Sequence, residues 1–266
     1  MKLSIVITYF NRRQQLINTL KSINYFKGNY DVEVIIVDDE SEQSIDDVVD
    51  LFSLNIHLIK LKNRTLHEAV TPLNTGFNEV TGDVILINCA ECFHMGDIIG
   101  YVFKNMREKM YFNFGTYSID FALNEKFNAI DWDGDPIKEA HSIIHPTHEL
   151  SEKWKDGDIG WYVNDDKHYS LLPFCAALSR SSVEELSGLD ERFVHGTGFA
   201  DVDFWDRIVN LKLETQVIMH PFCVHQAHKP TFYDKVLFQR NKDLLTFLRS
   251  HFSDRIKSSN NNYYAL

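Results

Sequence analysis

Residues 32–41 read VEVIIVDDES, an apolar, β-branched run that stops on two carboxylates, Asp38 and Asp39. A short run of that kind, bounded by charge, is the pattern of a strand buried on both faces of a parallel sheet. Ligands of open α/β sheets bind just outside the carboxyl ends of such strands. LSIVITYFNR, opening at Leu3, is a second strand of the same kind with polar residues at its tip. Two such strand ends joined by a helix predict a nucleotide crevice.

Working outward, Arg12 to Tyr25 carries Leu16, Ile17, Leu20 and Ile23 at helical spacing, and Gly28-Asn29 ends it. Ser44 to Phe52 repeats the stripe with Ile45, Val48, Val49 and Phe52. Asn55–Leu61 reads as a third strand, Thr65 to Glu79 as a helix, Asp83–Asn88 as a fourth strand and Gly96 to Met110 as a helix. Alternating strands and helices over residues 1–110 predict an α/β fold with a mostly parallel sheet flanked by helices. Residues 111–170, rich in aromatic, Asp and His side chains with weak periodicity, read as irregular structure laid over the sheet edge. Beyond them come a strand at Leu171–Leu178, a short helix at Ser181–Leu189, a helix at Asp201–Asn210, a strand at Glu214–Met219 and a terminal helix at Phe232–Phe252. The tail from Ser258 reads as loose. With no repeat and no flexible linker, 1–266 reads as one domain: a nucleotide half at 1–110, an acceptor and catalytic half at 111–230, and a C-terminal helix and tail at 231–266.

The chain has 266 residues, 44% of them hydrophobic, enough for a sizeable core. Its 27 basic and 38 acidic side chains give a formal net charge of −11, which disfavours a nucleic-acid partner. No apolar run approaches the ~18 residues of a membrane span, and Met1-Lys2-Leu3 leads directly into a strand without a signal-peptide pattern. These features predict a cytoplasmic location. Cys89 and Cys92 form a CxxC pair, but Cys175 and Cys223 do not follow at zinc spacing, so all four read as reduced thiols. Asp131, Asp133 and Asp135 lack the Glu of a calcium loop and read as a solvated turn.

Five ordered segments carry a family resemblance: SIVITYFNR, VIIVDDES, PLNTGFNEVTGDVILIN, GLDERFVHGTGFADVDFWDRI and FCVHQAH. Together they resemble the GT-A fold glycosyltransferases of the large inverting family, which includes polysaccharide transferases. The resemblance implies a hexosyl- or pentosyltransferase that uses a nucleotide-sugar donor, with UDP-sugars favoured. The acceptor hydroxyl would belong to a glycan, a glycoprotein or another molecule, a modified viral DNA base being the least favoured by charge. A sugar- or nucleotide-binding module that has lost catalysis is the alternative from another class. A nucleotidyltransferase is a third, opposed by the absence of glycine in TYFNRRQQ. The oligomeric state stays open.

The resemblance also implies residue roles. Thr8, Tyr9 and Asn11 would support the base, with Tyr9 stacking on it or else filling space beside the sheet. Arg12 and Arg13 would face the diphosphate or the solvent. Asp38 and Asp39 would hold base and ribose, or cap the following turn. Asn74 and Gly76 match the family's Asn and Gly ahead of the metal strand, with helix packing as the alternative. The family's Asp-x-Asp is replaced by Cys89-Ala90-Glu91. Glu91 would then bind donor and Mn²⁺ or Mg²⁺, with His225 as second ligand, His228 a turn away, and His94 as an accessory. Ala200 stands where relatives carry Glu, and Asp201 would be the base that deprotonates the acceptor. Gly198 would let backbone approach substrate, and Trp161, Tyr162, His168 and Phe174 would face a sugar ring or fill the core.

Overall fold

Four parallel strands build the first half of the sheet: β1 (Leu3–Tyr9), β2 (Val32–Asp38), β3 (Asn55–Lys60) and β4 (Val84–Asn88), in spatial order β3-β2-β1-β4. The computed structural model describes residues 1–62, 68–146, 157–165, 172–229 and 234–260. Every residue of β2 is buried, as its unbroken apolar run requires. Within β1, Leu3, Ile5, Ile7 and Tyr9 pack toward helix α1 (Arg13–Lys27), while Val6 packs toward helix α3 (Val70–Glu79) on the opposite face. Chain order reverses between β1 and β4, and a ligand crevice belongs outside the carboxyl ends of strands at such a point.

Between β2 and β3 the expected helix at 44–52 is a single turn, α2 (Asp46–Val49). Ile45 and Val48 are buried in the core as the stripe requires, but Leu51 is exposed beyond the helix end, and Asp46 and Asp47 pair with Lys60 and Arg13. After β4 come β5 (Cys92–His94) and α4 (Ile98–Asn105). That helix ends before the expected Met110, because Met106 turns extended and Lys109 takes a positive φ of 59°.

The described residues between 111 and 165 are not an irregular cover over the sheet edge. They begin with β6 (Met110–Ser118), which lies inside the sheet and is buried along all but its first residue. MYFNFGTYS lacks alternation because both of its faces are covered. Helices α5 (Phe121–Asn128) and α6 (Pro136–Ile143) follow, each capped by an aspartate, Asp120 and Asp135. Asp135 thus starts a helix and Asp131 accepts from the Asp133 N–H, so the DWDGD run is a turn. Strands β7 (Gly160–Val163), β8 (Cys175–Ser179) and β9 (Glu214–His225) complete a nine-stranded mixed sheet, with β8 antiparallel to β4 and β9 parallel to β6. The fold class is therefore α/β, with antiparallel pairings in its second half.

Helices α7 (Arg180–Leu186), α8 (Ala200–Asn210) and α9 (Lys235–His251) cover the α3 face. Arg207 is 1% exposed; it pairs with Asp203 at 2.9 Å and donates to the Leu186 and Gly188 carbonyls. Arg255 binds Asp190 at 2.6 Å and also Asp203, so α8 is tied to the loop that precedes it. The four thiols are reduced, and Cys92, Cys175 and Cys223 are buried. No helix among the described residues is long and apolar enough to cross a membrane.

Gly76 sets the approach of α3 to the sheet. A Cβ there would lie 2.4 Å from Val6 Cγ1, and Val6 is fully buried. Gly76→Ala gains about 1 kcal/mol of helix propensity, but overpacking costs about 1–3 kcal/mol. A net loss near ~1 kcal/mol is expected, read as a Tm lower by a few degrees. An unchanged or higher Tm would show that Val6 yields without cost.

Candidate active site

The crevice begins where β1 and β2 end. Asp38 is 4% exposed, and its Oδ1 accepts the Ser41 N–H at 2.9 Å, so it caps the turn after β2. Asp39 N–H donates to the Tyr9 carbonyl at 2.9 Å, which locks the two strand ends together. Asn11, at a φ of 52°, ties the same loops: its Oδ1 accepts from Glu42 N–H and its own N–H donates to Ser41 Oγ. Its side-chain oxygen is thus engaged by the loop. Tyr9 corrects the expectation of base stacking. The ring is 1% exposed in the α1-side core, because residue 9 shares the inward face of Leu3, Ile5 and Ile7. Arg13 binds Asp47 and the Ser44 carbonyl rather than reaching the crevice.

A second group forms between β4 and the end of β9. The β5–β9 register pairs Cys92 with His225, which puts the imidazole beside Glu91. Glu91 Oε1 lies 3.3 Å from His225 Nε2, 3.6 Å from His228 Nε2 and 2.7 Å from Arg12 Nη1. Glu91, His225 and His228 are the one group of three potential metal ligands among the described residues, their ligand atoms within 4.8 Å of one another. His228 Nδ1 lies 2.9 Å from the Lys229 carbonyl. A carbonyl only accepts, so Nδ1 carries a proton and it is Nε2 that faces Glu91. Burial alone would push the Glu91 carboxyl up, but Arg12 and the two imidazoles outweigh it and hold the group well below the usual range.

Gln226 fixes this arrangement and carries no signal in the sequence beyond its place within HQAH. It is fully buried, its N–H and its amide both donate to the Glu91 carbonyl, and its Oε1 accepts from Asn18. Tyr162 and Phe174 both pack edge-on against His225, at ring distances of 5.1 and 5.5 Å. His94 does not join the cluster. Its Nε2 meets Asn88 Oδ1 at 3.0 Å, and burial depresses its pKa to about 4, so it stays neutral in the core.

One test of fit for a cation is whether the buried donor set is left incomplete by the protein. Glu91 Oε2 and His225 Nδ1 are both buried with no hydrogen-bond partner among the described residues. An orphaned buried carboxylate oxygen is costly, and one carboxylate with two imidazoles suits Mn²⁺ better than Mg²⁺. The residues fit the group.

The third part of the crevice is a cleft of about 150 Å³ lined by Thr8, Glu68, Asn88, Cys89, Phe174 and Asp201, among others. Asp201 lies in the first turn of α8, and its Oδ1 accepts the Val202 N–H at 2.8 Å. The cap position itself falls to Phe199, left-handed at φ 69°. Burial raises the Asp201 carboxyl above its ordinary pKa. Asp203 points away into the Arg207 and Arg255 pairs, as residues two apart on a helix should.

Glu68, like Gln226, is a residue that sequence reasoning missed. It was covered by the helical reading of Thr65 to Glu79, whereas α3 starts only at Val70. Its Oε2 accepts the Gly198 N–H at 2.6 Å, and it lines the Asp201 cleft. The available signal was Ala200, which leaves the expected second carboxyl to come from elsewhere. Burial, reinforced by Asp201 and opposed by the Gly198 bond, pushes the Glu68 pKa to about 8.

A carboxyl with a raised native pKa favours the fold fully below its unfolded value of 4.5, and that contribution is lost as pH rises toward 8. Glu68→Gln keeps an acceptor for Gly198 and cannot ionise. It is expected to melt with the wild type at pH 5 and increasingly above it toward pH 8. Parallel melting curves across that range would show that Glu68 ionises freely.

Two more expectations are corrected. Asn74 does not face the crevice: Leu189 N–H donates to its Oδ1 and its Nδ2 donates to the Leu189 carbonyl, so the amide clamps the loop ahead of Asp201. Trp161 is 7% exposed and packs edge-on against Tyr117 and Phe222, filling the core under β6 and β7 rather than meeting a sugar. His168 lies outside the described residues. Gly198 takes a φ of 72°, and its N–H is held by Glu68.

Residues 4–186 match the sequence model of glycosyl transferase family 2. The first 349 residues of TarS from S. aureus share the fold, with 13% identity over 96% of this chain and 67% of that one and a TM-score of 0.58. The complex of that protein with UDP-GlcNAc aligns at 12% identity over 99% and 75% of the two chains, with a TM-score of 0.59. The mannosyltransferase PcManGT from Pyrobaculum calidifontis, in complex with GDP-Man and Mn²⁺, aligns at 14% identity and a TM-score of 0.51. That alignment covers 84% of this chain and 56% of the mannosyltransferase, so the chain spans little more than half of that protein's length. No curated protein matches the sequence.

Proposed function

The chain belongs to glycosyl transferase family 2, and from that membership we propose that it is an inverting transferase moving a sugar from a nucleoside-diphosphate donor to an acceptor hydroxyl. The observation that carries the reading is the turn Cys89-Ala90-Glu91. Cys89 lines the cleft of Asp201, while Glu91, two residues on, is the carboxylate of the cation group. A candidate base and a diphosphate site thus flank one short stretch of chain, at the point where chain order in the sheet reverses.

In this reading Asp38 and Asp39 take the base and ribose at the end of β2. Glu91, His225 and His228 hold a divalent cation, for which Mn²⁺ is favoured over Mg²⁺. When bound, that ion neutralises charge developing on the leaving diphosphate. Asp201 takes the acceptor proton as the acceptor oxygen forms its bond to the anomeric carbon; the bond from that carbon to the diphosphate breaks, and its electron pair leaves with the phosphate. Attack on the face opposite the leaving group inverts the anomeric centre. Glu68 keeps Gly198, and hence the start of α8, in place beside the reacting groups. UDP-sugars are favoured as donors, and GDP-mannose is the second candidate from the structural neighbours. The contributing residues run from Thr8 to His228, which supports reading the chain as one domain.

The test is a thermal-shift screen of nucleotide sugars with Mn²⁺, followed by detection of released nucleoside diphosphate. A ligand that binds only the native state raises Tm. At least one donor should do so and should then be cleaved. Stabilisation without release of UDP or GDP, whether to acceptors or to water, would instead establish a binding module that has lost catalysis.

A further inference from the structure

Arg12 is the last residue before α1, at the carboxyl end of β1, and its side chain crosses to the turn between β4 and β5. There Nη1 donates to Glu91 Oε1 at 2.7 Å. That oxygen is the one both imidazoles face, at 3.3 and 3.6 Å. One carboxylate oxygen is therefore claimed from two sides, by a guanidinium and by whatever cation the imidazoles hold.

The charges conflict. Glu91 and Arg12 already meet as an ion pair of opposite charge. A divalent ion entering alone would place two positive charges beside a guanidinium in a buried site, where salt screens little. A nucleoside diphosphate reverses the balance, because its oxygens can take the ion and a guanidinium fork together. The two partners also differ in exposure: the Arg12 side chain is 21% exposed, while that of Glu91 is 4% exposed, so Arg12 is the one nearer to an entering ligand.

We propose that Arg12 is the resident counter-cation of this site, holding Glu91 until a divalent ion and a nucleoside diphosphate bind together, then turning to the diphosphate. The inference rests on reading Glu91, His225 and His228 as a cation site. It makes Arg12 a positioning residue, and it makes ion and nucleotide mutually dependent, since coupling between two ligands is reciprocal.

The test is Mn²⁺ binding by the full chain, followed by electron paramagnetic resonance of the free ion. Without nucleotide, Arg12→Gln should bind Mn²⁺ at least tenfold tighter than the wild type, and Arg12→Lys, which keeps the charge, should stay close to the wild type. UDP or GDP should tighten Mn²⁺ binding tenfold or more in the wild type and far less in Arg12→Gln. Should that variant melt too low for titration, its Tm rise on saturating Mn²⁺, larger than that of the wild type, reads the same quantity. Equal affinity of wild type and Arg12→Gln without nucleotide overturns the proposal. Glu91→Gln separates two failures. If it abolishes Mn²⁺ binding while Arg12→Gln leaves it unchanged, only the role of Arg12 falls; if Mn²⁺ binding survives in Glu91→Gln, the cation site itself falls.

Discussion

Asp201→Asn is expected to lower turnover by about 10²–10⁴-fold while leaving donor affinity within a factor of about two, because a positioned general base contributes on that scale. The amide keeps the size of the side chain and can still accept the Val202 N–H through its oxygen, so the first turn of α8 should persist. What it loses is the ability to take a proton. The loss should therefore fall on kcat, with the donor Kd from calorimetry unchanged, since the base acts in the chemical step and not on the nucleotide. The pH profile gives a second readout. Burial raises the Asp201 carboxyl, and the base works only when ionised, so the acid limb of kcat/KM should lie above the ordinary carboxylate range. Glu68→Gln is the control within the same cleft. A large loss there, with Asp201→Asn still active, would exchange the roles of the two carboxyls.

How much of this was legible in the sequence follows the physics of each signal. Val32–Val37 and Leu3–Ile7 are buried on both faces, and nearly unbroken apolar runs report that directly. Residues 110–118 carry the same signal in aromatic form, but Asn113, Gly115 and Thr116 interrupt it, and nothing local says that Asn113 is held by the Leu172 carbonyl. Helix α8 and the HxxH pair stood out in the sequence as candidates because their residue types are suited to proton transfer and metal ligation. Asn74 and Trp161 were misplaced because an amide or an indole is equally suited to ligand and to core, and only the partners decide. Glu68 and Gln226 were missed for a related reason. Each acts through a contact more than 100 residues away, with Gly198 and with Glu91, which no periodicity encodes.

Glu91→Gln should remove the effect of Mn²⁺ on nucleotide binding, a loss of about 100-fold or more, given that even outer-shell partners of metal ligands are worth 10–100-fold. The amide is isosteric, so shape is kept while the one carboxylate of the cluster is lost. Two imidazoles alone, with no anionic oxygen, bind a hard divalent ion poorly. The comparison that isolates this effect is nucleotide affinity with Mn²⁺ and with chelator. With chelator, mutant and wild type should bind UDP or GDP alike to within a few fold; with Mn²⁺ only the wild type should gain. Stability needs its own measurement, because the change leaves Arg12 beside a neutral amide, and breaking a buried pair from one side costs about 3–5 kcal/mol. The exposed fraction of Arg12 lets it relax into water, so the penalty should fall below that range and the variant should still melt cooperatively. His225→Ala and His228→Ala extend the argument from charge to ligand type. If imidazole nitrogen sets the preference for Mn²⁺ over Mg²⁺, each should narrow that preference while weakening both ions. A purely structural Arg12–Glu91 pair gives the opposite pattern: all three variants lose Tm, and the wild type shows no difference between Mn²⁺ and chelator.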